Sequence, residues 1–132
     1  MIVRTLDEVV GSDREVGAPT WTSRRLLLAR DGCAFSLHDT IIEAGTTTEM
    51  WYRNHVEAVY CIEGSGTLLD RETGESYALA PGTMYVLDGN ERHTVTADTQ
   101  LRMVCVFDPP VTGDETHDEN GAYPLIEDAE ER

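Results

Sequence analysis

Three side chains of unlike chemistry stand where a β-rich chain would turn them inward: Glu57, Tyr85 and His93. Side chains alternate across a strand, so Glu57 shares a face with Val59 and Cys61, whose place is the interior. A carboxylate on that face is costly unless a cation or a metal meets it. Tyr85 shares a face with Leu87, and His93 with Val95 and Ala97. All three fall near strand ends, so they can converge on a single point. Each also has a plainer reading. Glu57 can pair with Arg53 at a barrel mouth, Tyr85 can be a core tyrosine whose hydroxyl bonds the backbone, and His93 can be exposed at the start of its strand.

The elements that would position these groups are short strands broken by turns. Alternation and β-branched content predict strands at 2–4, 24–29, 34–42, 47–51, 58–63, 67–70, 75–78, 84–87, 93–96 and 101–107, with a weak helix over 6–10. Asp31-Gly32, Gly64-Ser65-Gly66, Thr73-Gly74, Pro81-Gly82 and Asp88-Gly89-Asn90 punctuate them. Strands at this spacing suggest an all-β fold, a small barrel or sandwich. Residues 108–125 are polar, turn-rich and without period, and they carry Glu115, His117 and Tyr123; this content reads as a lid. Residues 126–132 read as a frayed tail.

A chain of 132 residues with 40% hydrophobic content fits one domain. No apolar run approaches the ~20 residues that span a bilayer. The N-terminal stretch MIVRTLDEVV lacks a signal peptide's long apolar region, which predicts a cytoplasmic location. The net charge of −15 argues against nucleic acid or an anionic membrane as partner, since like charge repels. The three cysteines, Cys33, Cys61 and Cys105, form no Cys-x-x-Cys, and the apolar runs around Cys61 and Cys105 mark both as small core residues.

Residues 45–66, GTTTEMWYRNHVEAVYCIEGSG, resemble the first cupin motif, G-x5-H-x-H-x3-E-x6-G. Gly45, Glu57 and Gly64 fall at its spacing, with Trp51 and Arg53 in the two histidine places. The second motif is echoed in PGTMYVLDGNERH, with Tyr85 where its histidine would stand and His93 on the following strand. The stretches WTSRRLLL, FSLHDTIIEAGT, PGTMYVLD, VCVFDPPVTG and THDENGAYPL extend the likeness over most of the chain, which resembles the ectoine synthase family of small dimeric cupins.

That resemblance implies an activity: cyclisation of N-gamma-acetyl-L-2,4-diaminobutyrate to the compatible solute ectoine, with loss of water. It implies iron, as Fe2+ with other divalent metals as substitutes, held by Glu57, Tyr85 and His93. It places Trp21, Arg25, Thr40, Tyr52, Phe107, Glu115 and His117 around the substrate, with Tyr52, Glu115 and His117 in catalytic roles. It also places His38 among the substrate-binding residues, at a position where some members carry Asn. It also implies a homodimer acting on a small molecule. The chemistry is consistent with this assignment. An oxygen-rich set with one imidazole suits iron or manganese, and a metal's charge lets tyrosine bind as phenolate despite a free pKa of about 10. Arg25 would pair with the substrate carboxylate, while Trp21 and Phe107 would wall out the water that hydrolyses an amide.

Two competing readings use the same pocket: a non-catalytic cupin that binds a small molecule, and a cupin dioxygenase. Fold does not separate the first from an enzyme, and the missing second histidine disfavours the second. The parity of Tyr52 is opposite to that of Glu57, so if both reach one pocket the backbone must leave strand geometry near Asn54. His55, beside Asn54, reads as a surface residue.

Overall fold

Inward-facing apolar residues and outward-facing polar ones build two antiparallel sheets over a shared core. The computed structural model describes residues 1–113. Its strands are β1 (Glu15–Gly17), β2 (Trp21–Leu27), β3 (Ser36–Ile42), β4 (Thr47–Met50), β5 (Val56–Glu63), β6 (Gly66–Asp70), β7 (Ser76–Leu79), β8 (Met84–Leu87), β9 (His93–Ala97) and β10 (Leu101–Asp108). One sheet has six strands in the order β1-β2-β3-β10-β5-β8, the other four in the order β4-β9-β6-β7. Val59 and Cys61 of β5, Leu68 of β6, Leu79 of β7, Val95 of β9 and Met103 of β10 meet in one buried cluster. Each such side chain contributes about 1.5–3 kcal/mol when it leaves water. The fold is all-β, as expected, with one short helix α1 (Leu6–Val9) capped by the Thr5 hydroxyl.

Two expectations about local structure are corrected, and one strand is added. Residues 2–4 are not a strand, although Ile2 and Val3 are apolar; among the described residues they have no sheet partner, and both are exposed. The strand expected at 24–29 begins three residues earlier, at Trp21, and gives way to a 3-10 turn, Ala29–Asp31. Strand β1, too short and polar to show alternation, pairs with β2 from Glu15↔Arg24 to Gly17↔Thr22.

The registers place the site. Arg25 pairs with His38, His38 with Cys105, Cys105 with Val59 and Val59 with Tyr85, a single row across β2, β3, β10, β5 and β8. The neighbouring row runs Ser36, Phe107, Glu57, Leu87. His93 opens β9 in the opposite sheet, paired with Met50 and Asp70.

Candidate active site

A small cavity of about 30 Å³ lies between the sheets, lined by Trp21, Thr40, Tyr52, Glu57, Tyr85 and Phe107 together with Cys105 and three aliphatic or thioether side chains. Six residues singled out in the sequence therefore share one wall. Tyr52 and Glu57 are both buried despite their opposite parity, because β4 ends at Met50 and β5 begins at Val56. The intervening residues form an irregular turn, as expected at Asn54. Tyr85 also lines a larger neighbouring cavity of about 300 Å³, which His93, Asp70 and Glu91 line as well; His93 does not line the small cavity, and Glu57 does not line the larger one.

Glu57 is 4% exposed, and burial pushes its carboxyl up to about 8; the neighbouring Cys105 thiol acts in the opposite direction. The Tyr85 phenol is raised well above its ordinary range, first by burial and then by the Glu57 charge. His93 is 1% exposed and burial lowers its imidazole to about 4. Its Nδ1 lies 3.1 Å from the Glu91 carbonyl oxygen. A carbonyl only accepts, so Nδ1 carries the proton and Nε2 presents a bare lone pair. That Nε2 is buried and has no hydrogen-bond partner among the described residues. Arg53, the alternative partner for Glu57, has its guanidinium 4.7 Å over the Trp51 ring.

These features suit a cation: an orphaned imidazole nitrogen, a carboxyl held neutral only for want of charge, and a phenol beside both. Among the described residues no three of His, Cys, Asp and Glu are grouped to hold a metal, and the Tyr85 oxygen is the further donor type at this site.

The remaining predicted residues are placed as follows. Arg25 is fully buried; its Nε donates to Ser23 Oγ at 3.2 Å and its Nη1 to the Gly113 carbonyl at 2.9 Å. His38 is also fully buried, its ring 4.9 Å from that of Phe107, and burial followed by the Arg25 charge holds its pKa well below the ordinary histidine value. Neither lines the small cavity. The Tyr52 hydroxyl donates to Met50 Sδ at 3.4 Å, and its ring meets Phe107 edge-on at 5.1 Å. Glu115, His117 and the expected lid over 108–125 lie, beyond Gly113, outside the described residues.

His55 is a correction. It is 3% exposed, its Nδ1 lies 2.8 Å from the Pro109 carbonyl oxygen, and its ring packs on Phe107 at 5.6 Å. Its polar neighbours in sequence concealed this, since both contacts come from more than fifty positions away. Cys105 is buried, as expected, and also lines the small cavity with Thr40 and Glu57; its thiol donates to the Met103 carbonyl oxygen at 4.0 Å. Ser23 and Ser36 were not singled out, and no local pattern marks them.

Fold and pocket together define a small cupin. The polyketide cyclase RemF from Streptomyces resistomycificus shares that fold, with a TM-score of 0.68 over 92% of this chain and 89% of its own at 23% identity. The chain belongs to the ectoine synthase family, whose model matches residues 1–127. The L-ectoine synthase of Thermobifida fusca is 57% identical over 130 residues, 98% of this chain and 97% of that protein. The crystal structure of ectoine synthase from P. lautus superposes with a TM-score of 0.87 at 57% identity, over 96% of this chain and 91% of that one.

Proposed function

We propose that this pocket performs its family's reaction, a cyclodehydration in which N-gamma-acetyl-L-2,4-diaminobutyrate closes to ectoine with loss of water. The observation that carries this reading is that Trp21, Thr40, Tyr52, Glu57, Tyr85 and Phe107 line one cavity between the sheets. Ring closure joins an α-amine to an amide carbon in the same molecule. Both ends must be held together, the amine must be neutral, and the amide oxygen must be polarised. An enclosed pocket meets the first need, since effective molarity removes a large part of the barrier. Glu57, Tyr85 and His93 would hold iron, as Fe2+ or a substitute divalent ion, whose role when bound is that of a Lewis acid toward the acetyl oxygen.

The chain's own residues supply the rest. Arg25, beside the pocket, would take the substrate carboxylate through its planar fork. The Tyr52 hydroxyl, which donates to Met50 Sδ, would turn to a substrate atom. Trp21 and Phe107, 4% and 1% exposed, exclude the water that would hydrolyse the amide. Glu115 and His117 would move protons at the departing hydroxyl and the attacking amine.

A homodimer is part of this reading. Strand β8 is an edge of the six-stranded sheet and exposes Met84 and Val86, next to the exposed Val56 and Tyr60 of β5. An unpaired apolar edge of this kind favours a second chain. The acidic surface and the absence, among the described residues, of any helix long and apolar enough to cross a membrane suit a small-molecule enzyme of the cytoplasm.

The test is direct. Purified protein loaded with ferrous iron is given the acetylated diamino acid, and the product is weighed by mass spectrometry. A product lighter by one water supports the reading. Substrate binding without product would favour a binding module, and oxygen consumption a dioxygenase.

A further inference from the structure

Ser23, Arg25, Ser36 and His38 are each 1% exposed or less, an unusual amount of polar chemistry inside an apolar barrel. Buried polar groups of this kind persist only when satisfied. Here they satisfy one another in a continuous chain. Arg25 Nε donates to Ser23 Oγ at 3.2 Å, Ser23 Oγ lies 3.0 Å from His38 Nδ1, and His38 Nε2 lies 2.9 Å from Ser36 Oγ. The Val111 amide then donates to Ser36 Oγ at 2.9 Å. Independently, Arg25 Nη1 donates to the Gly113 carbonyl at 2.9 Å, and the Ala29 amide to the Val111 carbonyl at the same distance. Both ends of the chain therefore finish on the segment that leaves β10, one through the guanidinium and one through Ser36.

The imidazole joins the two serines through its two ring nitrogens. A neutral ring donates at one nitrogen and accepts at the other, while a serine hydroxyl does either. Either tautomer therefore connects Ser23 to Ser36, and the connection needs no charge. Ring contact with Phe107 holds the imidazole plane against the cavity wall.

We propose that His38, with Ser23 and Ser36, is a positioning unit that couples the orientation of the Arg25 guanidinium to the placement of residues 109–113, so that the substrate-carboxylate site and the segment beside it form together. This rests on the reading of Arg25 given above. None of the three acts on reacting atoms; they act through Arg25 and through the Val111 amide.

Two variants test it in the metal-loaded chain. Ser36→Ala removes the hydroxyl that receives both His38 and Val111. His38→Asn keeps an amide near the Nδ1 position and loses the reach to Ser36. Each should raise KM for the acetylated diamino acid roughly tenfold, the consequence of one lost buried hydrogen bond, with kcat and metal content near the parent values. Each should also speed hydrogen exchange at the Val111 amide. His38→Gln, whose amide reaches the Nε2 position, should restore both. Unchanged Val111 exchange overturns the coupling, and so does faster exchange with an unchanged KM and only a lowered melting temperature. Substrate affinity is measured by calorimetry as well. A parent chain that binds no acetylated diamino acid sinks the functional reading of Arg25, while the exchange rates still decide whether His38 ties Ser23 to the 109–113 segment.

Discussion

His93 donates from Nδ1 to the main-chain oxygen of Glu91, two residues earlier, and this one bond determines what its other nitrogen does. With Nδ1 protonated, Nε2 is an acceptor held in a buried place without a donor among the described residues. A bare imidazole nitrogen of this kind can accept a cation, the role proposed for it above.

The first prediction concerns that cation. His93→Ala, Glu57→Ala and Tyr85→Phe should each lower metal content and activity together, by more than the ~100-fold that loss of an outer-shell partner costs at metal sites. Metal per chain after ferrous loading is the measurement. Full occupancy in all three variants would show the ligands to be elsewhere.

Arg25→Ala should weaken substrate binding by about 1.5–3 kcal/mol, the range for a hydrogen bond to a charged group, and leave metal content unchanged. Arg25→Lys should not restore it, because an ammonium lacks the planar fork. Calorimetric titration decides, and equal affinity in Arg25→Ala would remove the carboxylate role.

Acid sensitivity should trace to Asp31. Arg14 binds it through both terminal nitrogens at 2.9 Å, Arg4 lies alongside and the Leu28 amide donates at 2.8 Å. The Arg14 hydrogen bonds, ahead of smaller contributions, hold its pKa down to about 2. A carboxyl depressed in the folded state adds stability that is whole above its unfolded pKa of about 3.9 and disappears as pH falls toward 2. The contribution at neutral pH is on the order of 1–2 kcal/mol after solvent screening. Asp31→Asn should lower the melting temperature at pH 7 and flatten its fall between pH 4 and 2. A parent-like acid limb in the variant would refute this.

Two motif glycines should respond differently to alanine. At Gly64, φ is +92° and an added Cβ would lie 2.1 Å from the Gln100 carbonyl oxygen. At Gly45, φ is +75° and nothing lies within 4 Å. Gly45→Ala should cost only the left-handed backbone, about 1–2 kcal/mol. Gly64→Ala should cost that and a displaced main chain, at least about 3 kcal/mol. Denaturant melts compare them, and equal losses would show that the main chain at Gln100 yields freely.

At the β8 edge, Val86→Lys with Met84→Lys should convert a dimer to a monomer by light scattering without lowering metal content. A parent chain that is already monomeric, or a variant that stays dimeric, would place the interface elsewhere.

Much of the strand pattern was legible from residues alone. In β9, His93, Val95 and Ala97 are buried while Thr94 and Thr96 are not, the alternation that HTVTA displays. In β10 the sequence LRMVCVFD is apolar at nearly every position, so parity is invisible. Pairing with β3 and β5 on both sides turns Leu101, Met103, Cys105 and Phe107 inward. Residues 2–4 look like a strand because Ile and Val dominate, but a strand needs an edge to pair with. His55 looked like surface because its burial is supplied by Pro109 and Phe107, from another strand and the segment after it.

From the sequence alone came the residue types that face inward, the spacing of Gly45, Glu57 and Gly64, and the family likeness that gave the site its members. Those are local properties, set by a two-residue period and by turn chemistry. Only the tertiary structure decided which side chains meet. The row from Arg25 to Tyr85 exists because five strands align in one register, and His93 joins Tyr85, ring centres 6.4 Å apart, because the second sheet folds over the first. The hydrogen bonds from Ser36 to Val111 and from Arg25 to Gly113 bridge 75 and 88 positions. No short window of sequence contains such pairs, since burial of the shared core selects them.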